Sequence, residues 1–389
     1  MWLSNVMLIL ADRVIENGSL RIEGGLIAEI VETPGTASHT VYPGFIDMHG
    51  DMIEHELEPR PGVDFPMEVA VAHLDARLAA AGVTTAYASV SFSRTAKEGD
   101  RRSFKHTSGI IRALKETIKN TRVDHKIHAR FDMTYTDAIA ALEGLLDAGA
   151  VDLVSVMDHT PGQGQYRNVE KLIAYRMKDG MTEAEARAAI QHRIDDAVPA
   201  EQLLRNLQDV SALCQPRGVA MASHDDDTVE KTNLMADIGA VISEFPVTME
   251  AAQTAADRGL MIAMGAPNAM RGQSYSGNLS AREAHKAGLL HILAADYHPA
   301  AILRAIHALA PQDPDGLPGA VRLASLNPAK ALGLTDRGEI AVGKRADLAI
   351  VDAENRVVQT FLCGELIYSN GTVAGAAQPI VTEKASEAA

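Results

Sequence analysis

The sequence predicts an α/β protein: a (β/α)8 barrel of the TIM type with a small β-sandwich built from the N- and C-terminal segments. Three observations predict it. Eight apolar segments of strand length alternate with stretches of helical periodicity, both chain ends instead show short alternating runs broken by tight-turn dipeptides, and unusual polar residues gather just after the apolar segments. Strands buried on both faces and alternating with helices form parallel β/α units, and eight such units close into a barrel. The 389 residues exceed the roughly 250 that a barrel needs, which leaves room for added pieces.

In chain order, residues 1–40 carry Val6-Met7-Leu8-Ile9-Leu10, Val14-Ile15-Glu16 and Ser19-Leu20-Arg21-Ile22, separated by Asn17-Gly18 and Gly24-Gly25. These read as short strands and turns. The barrel strands are expected at 40–48, 83–90, 125–133, 151–158, 219–223, 240–245, 260–266 and 289–295. The longest connection, 159–218, contains Thr182-Glu183-Ala184-Glu185, a capping box that starts a helix continuing past Ile194. Over a barrel mouth such an insertion is a lid, an oligomer contact or a plain surface hairpin. The alternating texture returns at Arg345 to Val351, Arg356 to Leu362 and Leu366-Ile367-Tyr368, with an Asn370-Gly371 turn. Residues 336–373 therefore complete the sandwich begun by 1–40, with the hydrolase barrel at 41–335 and a flexible tail, rich in Ala, Ser and Glu, at 374–389.

A net charge of −15 and a pI near 5.4 give a surface that repels nucleic acid and anionic membranes. No run approaches the roughly 20 apolar residues of a membrane span, and Met1 to Leu10 lacks the basic start of a signal peptide, so a cytoplasmic protein is expected. Cys214 and Cys363 lie far apart without a CxxC spacing and read as free thiols. An anionic small-molecule substrate needs clustered arginines or bound metal on so acidic a chain. Homo-oligomerisation stays open.

The chemistry starts at Pro43-Gly44-Phe45-Ile46-Asp47-Met48-His49-Gly50-Asp51, where an apolar strand ends in a histidine and a carboxylate two residues apart. Residues i and i+2 of a strand share a face, so His49 and Asp51 can grip one cation together. Asp132, His159, His224 and Asp296 also follow expected strands, and barrel closure points all six at one cavity. Six such ligands suffice for two divalent ions, with Asp132 as a bridging carboxylate. Zinc leads, and manganese or iron suits the same donors. Two ions about 4 Å apart acidify a shared water. Asp296 then orients that water and carries its proton, and His224 joins it as a catalytic group. Asp158, Asp225 and Glu244 stay open between ligands and supports of ligands, because one residue of error at a strand end exchanges them. Arg60, Arg130, Arg167 and Arg271 lie in expected strand-to-helix loops, where a guanidinium fork matches phosphate oxygens, and Ser274, Ser276 and Asn278 supply neutral donors.

The paired chain ends, the Pro-Gly-Phe-Ile-Asp-x-His start, the late Asp296 and the run from Arg337 to Leu348 resemble the amidohydrolase superfamily. The likeness narrows to its phosphonate-pathway triphosphate diphosphatases through Pro59 to Pro66, Val156-Met157-Asp158-His159-Thr160-Pro161-Gly162-Gln163, Ala222 to Asp226, Glu244-Phe245-Pro246, Gly265 to Gly272 and Ser276-Gly277-Asn278. The resemblance implies that ribose 1-methylphosphonate 5-triphosphate and water give ribose 1-methylphosphonate 5-phosphate and pyrophosphate, and it adds Gln163 to the substrate-binding set. The alternative is an enzyme acting on a C–N bond, a deacylase or cyclic amidase. Many of those hold their metals with a carboxylated lysine after the fourth strand, where this chain has His159. A non-catalytic relative is disfavoured by ligand types on five of the eight strands.

Overall fold

The computed structural model describes residues 1–60, 62–92, 104–178, 180–274 and 277–371 and the backbone of 381–382, with the side chains of 104 and 105 left aside. Ser276 and most of the expected tail lie outside the described residues. The chain opens with strands β1 (Trp2–Ile9), β2 (Val14–Glu23), β3 (Leu26–Glu32) and β4 (His39–Pro43). It continues through β5 (Phe45–Gly50), β6 (Val83–Phe92), β7 (Asp124–Asp132), β8 (Leu153–Met157), β9 (Ala220–His224), β10 (Ile242–Glu244), β11 (Met261–Gly265) and β12 (Ile292–Ala294). It returns to sheet with β13 (Leu348–Val351), β14 (Val357–Leu362) and β15 (Glu365–Ser369).

Strands β5 to β12 pair in chain order, all parallel, and a bridge between Gly50 and Asp296 joins the last strand to the first. This is the closed parallel barrel with helices around it. Side chains alternate across each strand. One set, including Met48, Tyr87, Leu153, Ala222, Ile242 and Ala263, fills the interior, while the other packs beneath the helices. The interior is thus solid below the mouth, and polar residues at strand C-termini have only the open end to line.

The expected first barrel strand, 40–48, splits in two. At Gly44 an added Cβ would stand 2.3 Å from Thr84 Oγ1, so the backbone can leave one sheet and enter the other only with glycine there. The part before it, β4, joins the terminal sheet in the order β15-β14-β13-β4-β1-β2-β3. The backbone of Val381–Thr382 (β16) also pairs with β1, at Trp2 and Leu3. This sheet curls over its own apolar face until Leu26 bridges Arg345, enclosing Leu3, Val6, Leu20, Ile27, Leu348 and Phe361. Buried Arg337 ties it to the barrel floor through Thr85 Oγ1 at 3.0 Å and Asp124 Oδ2 at 2.5 Å.

The insertion forms as its capping box indicates. Thr182 caps the helix Glu183–Asp195, which packs on the helix Val169–Lys178 through Leu172, Ile173, Ala186 and Ile190. Its Arg193 donates to the backbone carbonyl of His159 at 2.7 Å, so the insertion is anchored on a candidate site residue. Both cysteines are free thiols. No described helix is long and apolar enough to cross a membrane.

Candidate metal centre

At the mouth of the barrel a cavity of about 520 Å³ is lined by His49, Asp51, Arg130, His224, Asp225, Arg271, Asn278 and Asp296, among others. Residues from strands up to 247 positions apart in sequence thus meet through barrel closure alone, as Ala295 N to Asp47 Oδ1 at 2.8 Å, 248 positions apart, also illustrates. His49 and Asp51 share a face, with Nε2 and Oδ1 3.4 Å apart. On its other side His49 Nδ1 lies 3.2 Å from Glu244 Oε1. His224 Nδ1 reaches Glu244 Oε2 at 3.0 Å, and the His49 and His224 rings stack with centroids 5.3 Å apart. Phe245 meets both rings edge-on, at 4.9 and 5.3 Å, and fixes their planes.

Two groups of ligand atoms lie close enough to hold an ion: His49, His224 and Glu244, and His159, His224 and Asp225, each within 4.8 Å. Buried His49 Nδ1, Glu244 Oε1 and Asp225 Oδ2 have no hydrogen-bond partner among the described residues. Orphaned polar atoms at this depth are costly unless something bonds them, and imidazole with carboxylate is the donor set of a divalent ion. The residues fit the group.

The electrostatics agree. Burial opposes protonation of His49, yet Glu244 and Asp51 beside it push its imidazole up to about 10. A field that holds a proton so firmly also attracts a metal cation. Burial likewise opposes ionisation of Glu244, but the His49 and His128 imidazoles hold it well below the usual carboxylate range. Burial would raise Asp51, and Arg130, at 2.6 Å, overrides it and keeps the carboxyl low. Asp296 has less compensation, and burial pushes it up to about 6.

Local backbone geometry places three of these groups. Asp225 and Phe245, the residues after β9 and β10, and Asp296, two residues beyond β12, adopt left-handed φ of 55°, 54° and 57°. Each still donates to the neighbouring strand, Asp225 N to Glu244 O at 2.9 Å, Phe245 N to Ala263 O at 2.8 Å and Asp296 N to His49 O at 2.9 Å. Keeping the ladder while turning left-handed sets the side chains of Asp225, Phe245 and Asp296 on the cavity wall.

Not every expected site residue arrives here. Asp132 is buried but accepts from Thr134 N and Oγ1, at 3.0 and 2.6 Å, and belongs to neither ligand group. The Asx-type bonds to the residue two positions on both fall on Oδ1 and fix the orientation of its carboxylate. Arg60 stands exposed on a turn closed by Val63 and lines neither cavity described here. Gln163 donates to Asp158 instead of facing the cavity. Arg167 lines an adjoining cavity, and Asn278 lines both. His159 sits at the rim, its Nε2 3.8 Å from Asp225 Oδ2.

Three groups join that the sequence reading left out or left open. Glu244 and Asp225 enter the ligand groups, whereas Asp158 accepts from Thr160 N and Gln163 and does not. His128 lies under the centre, fully buried, its Nε2 3.8 Å from Glu244 Oε1 and its ring edge-on to His49. A signal existed, since His128 and Arg130 alternate on one face of β7.

Fold and site together define a hydrolase of the metal-dependent barrel class. The amidohydrolase family model matches residues 40–379, and the chain belongs to that family. A curated relative, alpha-D-ribose 1-methylphosphonate 5-triphosphate diphosphatase from Escherichia coli (strain K12), is 37% identical over 362 residues, covering 90% of this chain and 94% of that protein. Among solved structures, N-acetyl-D-glucosamine-6-phosphate deacetylase from Mycobacterium smegmatis superposes with a TM-score of 0.63 at 17% identity, over 95% of this chain and 100% of that one. A 5-methylcytosine deaminase from Klebsiella pneumoniae gives 0.66 at 16%, over 95% and 97%. At such identities these two show the shared fold.

Proposed function

We propose that this chain hydrolyses ribose 1-methylphosphonate 5-triphosphate, releasing pyrophosphate and leaving ribose 1-methylphosphonate 5-phosphate. The observation that carries this reading is the 37% identity to the Escherichia coli diphosphatase over nearly the whole of both chains. The site supports it. Arg130 and Arg271 stand in the same cavity as the ligand groups, and guanidinium forks match phosphate oxygens. At the end of the fourth barrel strand, where the C–N-cleaving alternative often places a carboxylated lysine, this chain has His159 and no lysine near it.

In this reading His49, Asp51, His159, His224, Asp225, Glu244 and Asp296 hold two divalent ions, with zinc as the resident metal. Ions bound there would polarise a phosphoryl oxygen and acidify the attacking water. Arg130 and Arg271 bind and orient the triphosphate oxygens. The carboxylate of Asp296, which lines the cavity, receives the proton of the attacking water. Phe245 and the packed barrel below keep bulk water from the inner face of the site. A cytoplasmic location and a small anionic substrate, with no nucleic acid or membrane partner, complete the proposal.

The test is a pyrophosphate-release assay over ribosyl and nucleoside triphosphates with added zinc or manganese, alongside metal analysis of the protein. Turnover of N-acyl compounds without release from any triphosphate would replace this reading with the C–N one. A protein that cannot be loaded with divalent metal would remove the mechanism.

A further inference from the structure

Beside the metal centre lies a second cavity of about 640 Å³ with an unusual charge. On a chain of net charge −15 its lining includes Arg167, Lys171 and Lys178 and, among the described residues, no aspartate or glutamate. The lysines are presented by the helix Val169–Lys178, where Lys171, Ala174, Tyr175 and Lys178 recur at the i, i+3, i+4, i+7 spacing of one helical face. The rest of the helix is spent on packing, Leu172 and Ile173 being buried with Ala186 and Ile190. The helix's own acid, Glu170, is turned away to Arg187 at 2.8 Å. Across the cavity Gly277, with φ +72°, leaves room for the Lys171 ammonium, which would stand 2.7 Å from any Cβ at that position. The two cavities share Gln165, Ser274 and Asn278, so they are compartments of one cleft.

The compartments differ in sign. The first is lined by Asp51, Asp225 and Asp296 and repels an anion except where an arginine or a bound cation faces it. The second attracts one unaided. We infer that the second cavity is the subsite of the leaving diphosphate, with Arg167, Lys171 and Lys178 as its cationic wall. The inference rests on the hydrolase reading above and deepens it. Displacement at phosphorus runs in line, so the leaving group departs on the side away from the attacking water. Water is delivered from the acid-lined floor beside Asp296, and the far side of the α-phosphorus faces outward. The new bond joins the water oxygen to the α-phosphorus while the bond from that phosphorus to the bridging oxygen breaks. The bridging oxygen takes the electron pair and leaves within the diphosphate; one water proton passes to Asp296 and the other stays on the new phosphate. A departing group of such dense charge needs several fixed cations, and three are here. Lysines meet it as point charges and Arg167 as a fork.

The experiment uses the full chain at buffered free divalent ion, with inorganic pyrophosphate as probe. Lys171→Ala and the double variant Lys171→Ala/Lys178→Ala are compared with the unaltered protein; both side chains are exposed, so folding is not at stake. The inhibition constant of pyrophosphate is expected to rise about tenfold or more, that of ribose 1-methylphosphonate 5-phosphate to stay put, and the melting-temperature gain produced by pyrophosphate to shrink in the double variant. An unchanged inhibition constant and an unchanged thermal gain overturn the assignment. So does a loss confined to the sugar phosphonate product, which would give the cavity to the other end of the substrate. An unaltered protein that releases no pyrophosphate from any triphosphate defeats the hydrolase reading instead, and the thermal measurement still decides whether the cavity binds diphosphate.

Discussion

His224 gives its Nδ1 hydrogen to Glu244 Oε2 over 3.0 Å, and this bond aims the opposite ring nitrogen at the mouth of the barrel. The direction of the proton follows from the other contact. Arg130 Nη2 lies 3.1 Å from His224 Nε2, and a guanidinium offers only donors, so Nε2 is the acceptor and Nδ1 carries the hydrogen. The two ligand groups both include His224, and a neutral imidazole has a single lone pair to give. That lone pair faces Arg130, so a cation held by the outer group with His159 and Asp225 would have to displace the guanidinium from it, while Glu244 Oε1 faces His49 and His128.

Glu244→Gln is expected to lower metal affinity about 10- to 100-fold, the usual cost of altering the group that orients a ligating imidazole. Retained metal after dialysis against a graded series of chelators measures it. Full retention in the variant would show that the carboxylate does not set the affinity.

Asp296→Asn and His224→Ala are expected to abolish turnover while leaving the far-ultraviolet circular dichroism near that of the parent; Asp296→Asn also keeps the unfolding midpoint, whereas His224→Ala lowers it by emptying the space between His49 and Phe245. Near-normal activity in either removes that residue from its proposed role.

Gly265→Ala is a subtler probe of Asp296. Its φ is ordinary, but an added Cβ would stand 3.1 Å from Asp296 Oδ2, closer than side chains normally pack. The carboxylate must shift by a few tenths of an ångström. We expect kcat to fall by about tenfold through misplacement of the base, with little change in KM. Wild-type kcat would mean that the position of this carboxylate is not critical.

Arg271→Ala is expected mainly to raise KM, by the equivalent of about 1.5–3 kcal/mol for a charged hydrogen bond to substrate. Steady-state kinetics over a range of triphosphate concentrations decide it, and an unchanged KM excludes Arg271 from the substrate site.

Acid stability reports on the barrel floor. Burial would raise Asp124, but the bond from Arg337 outweighs it and the carboxyl lies below its ordinary value. A depressed folded pKa contributes stability that is present above the unfolded value, near 3.9, and is lost as pH falls through the folded one. Denaturant midpoints of the parent should therefore fall faster below about pH 4 than those of Asp124→Asn, which starts lower because Arg337 loses its charged partner. Parallel curves would show that the pair contributes nothing to the acid dependence.

Much of this was legible before any coordinates. The eight barrel segments announced themselves because strands covered on both faces are mostly apolar and carry few charges, as in β6, whose ten residues are all buried and whose polar members carry only hydroxyls. His49, His224 and Asp296 were legible because they interrupt that apolarity at the strand ends. Asp132 interrupts it in the same way, yet its Oδ1 is bonded to Thr134 and it joins neither ligand group, and no strand pattern reveals such a bond between neighbours. His128 was hidden for the opposite reason: it lies inside the apolar run, where a polar residue on the inward face passes for a satisfied core group. The break at Gly44 was hidden because Val41 to Ile46 is apolar on both sides of it, and only the approach of Thr84 makes glycine necessary there.

The three left-handed corners after β9, β10 and β12 set a limit on how this protein can be toughened. Each non-glycine residue in that conformation costs about 1–2 kcal/mol, and glycine would relieve it. Two of the corners are carboxylates facing the cavity, and the third, Phe245, holds two imidazoles in plane. Hardening the rim against heat would therefore blunt the tool it carries, and robustness must be sought at the opposite end of the barrel, among the ties that join floor to sheet.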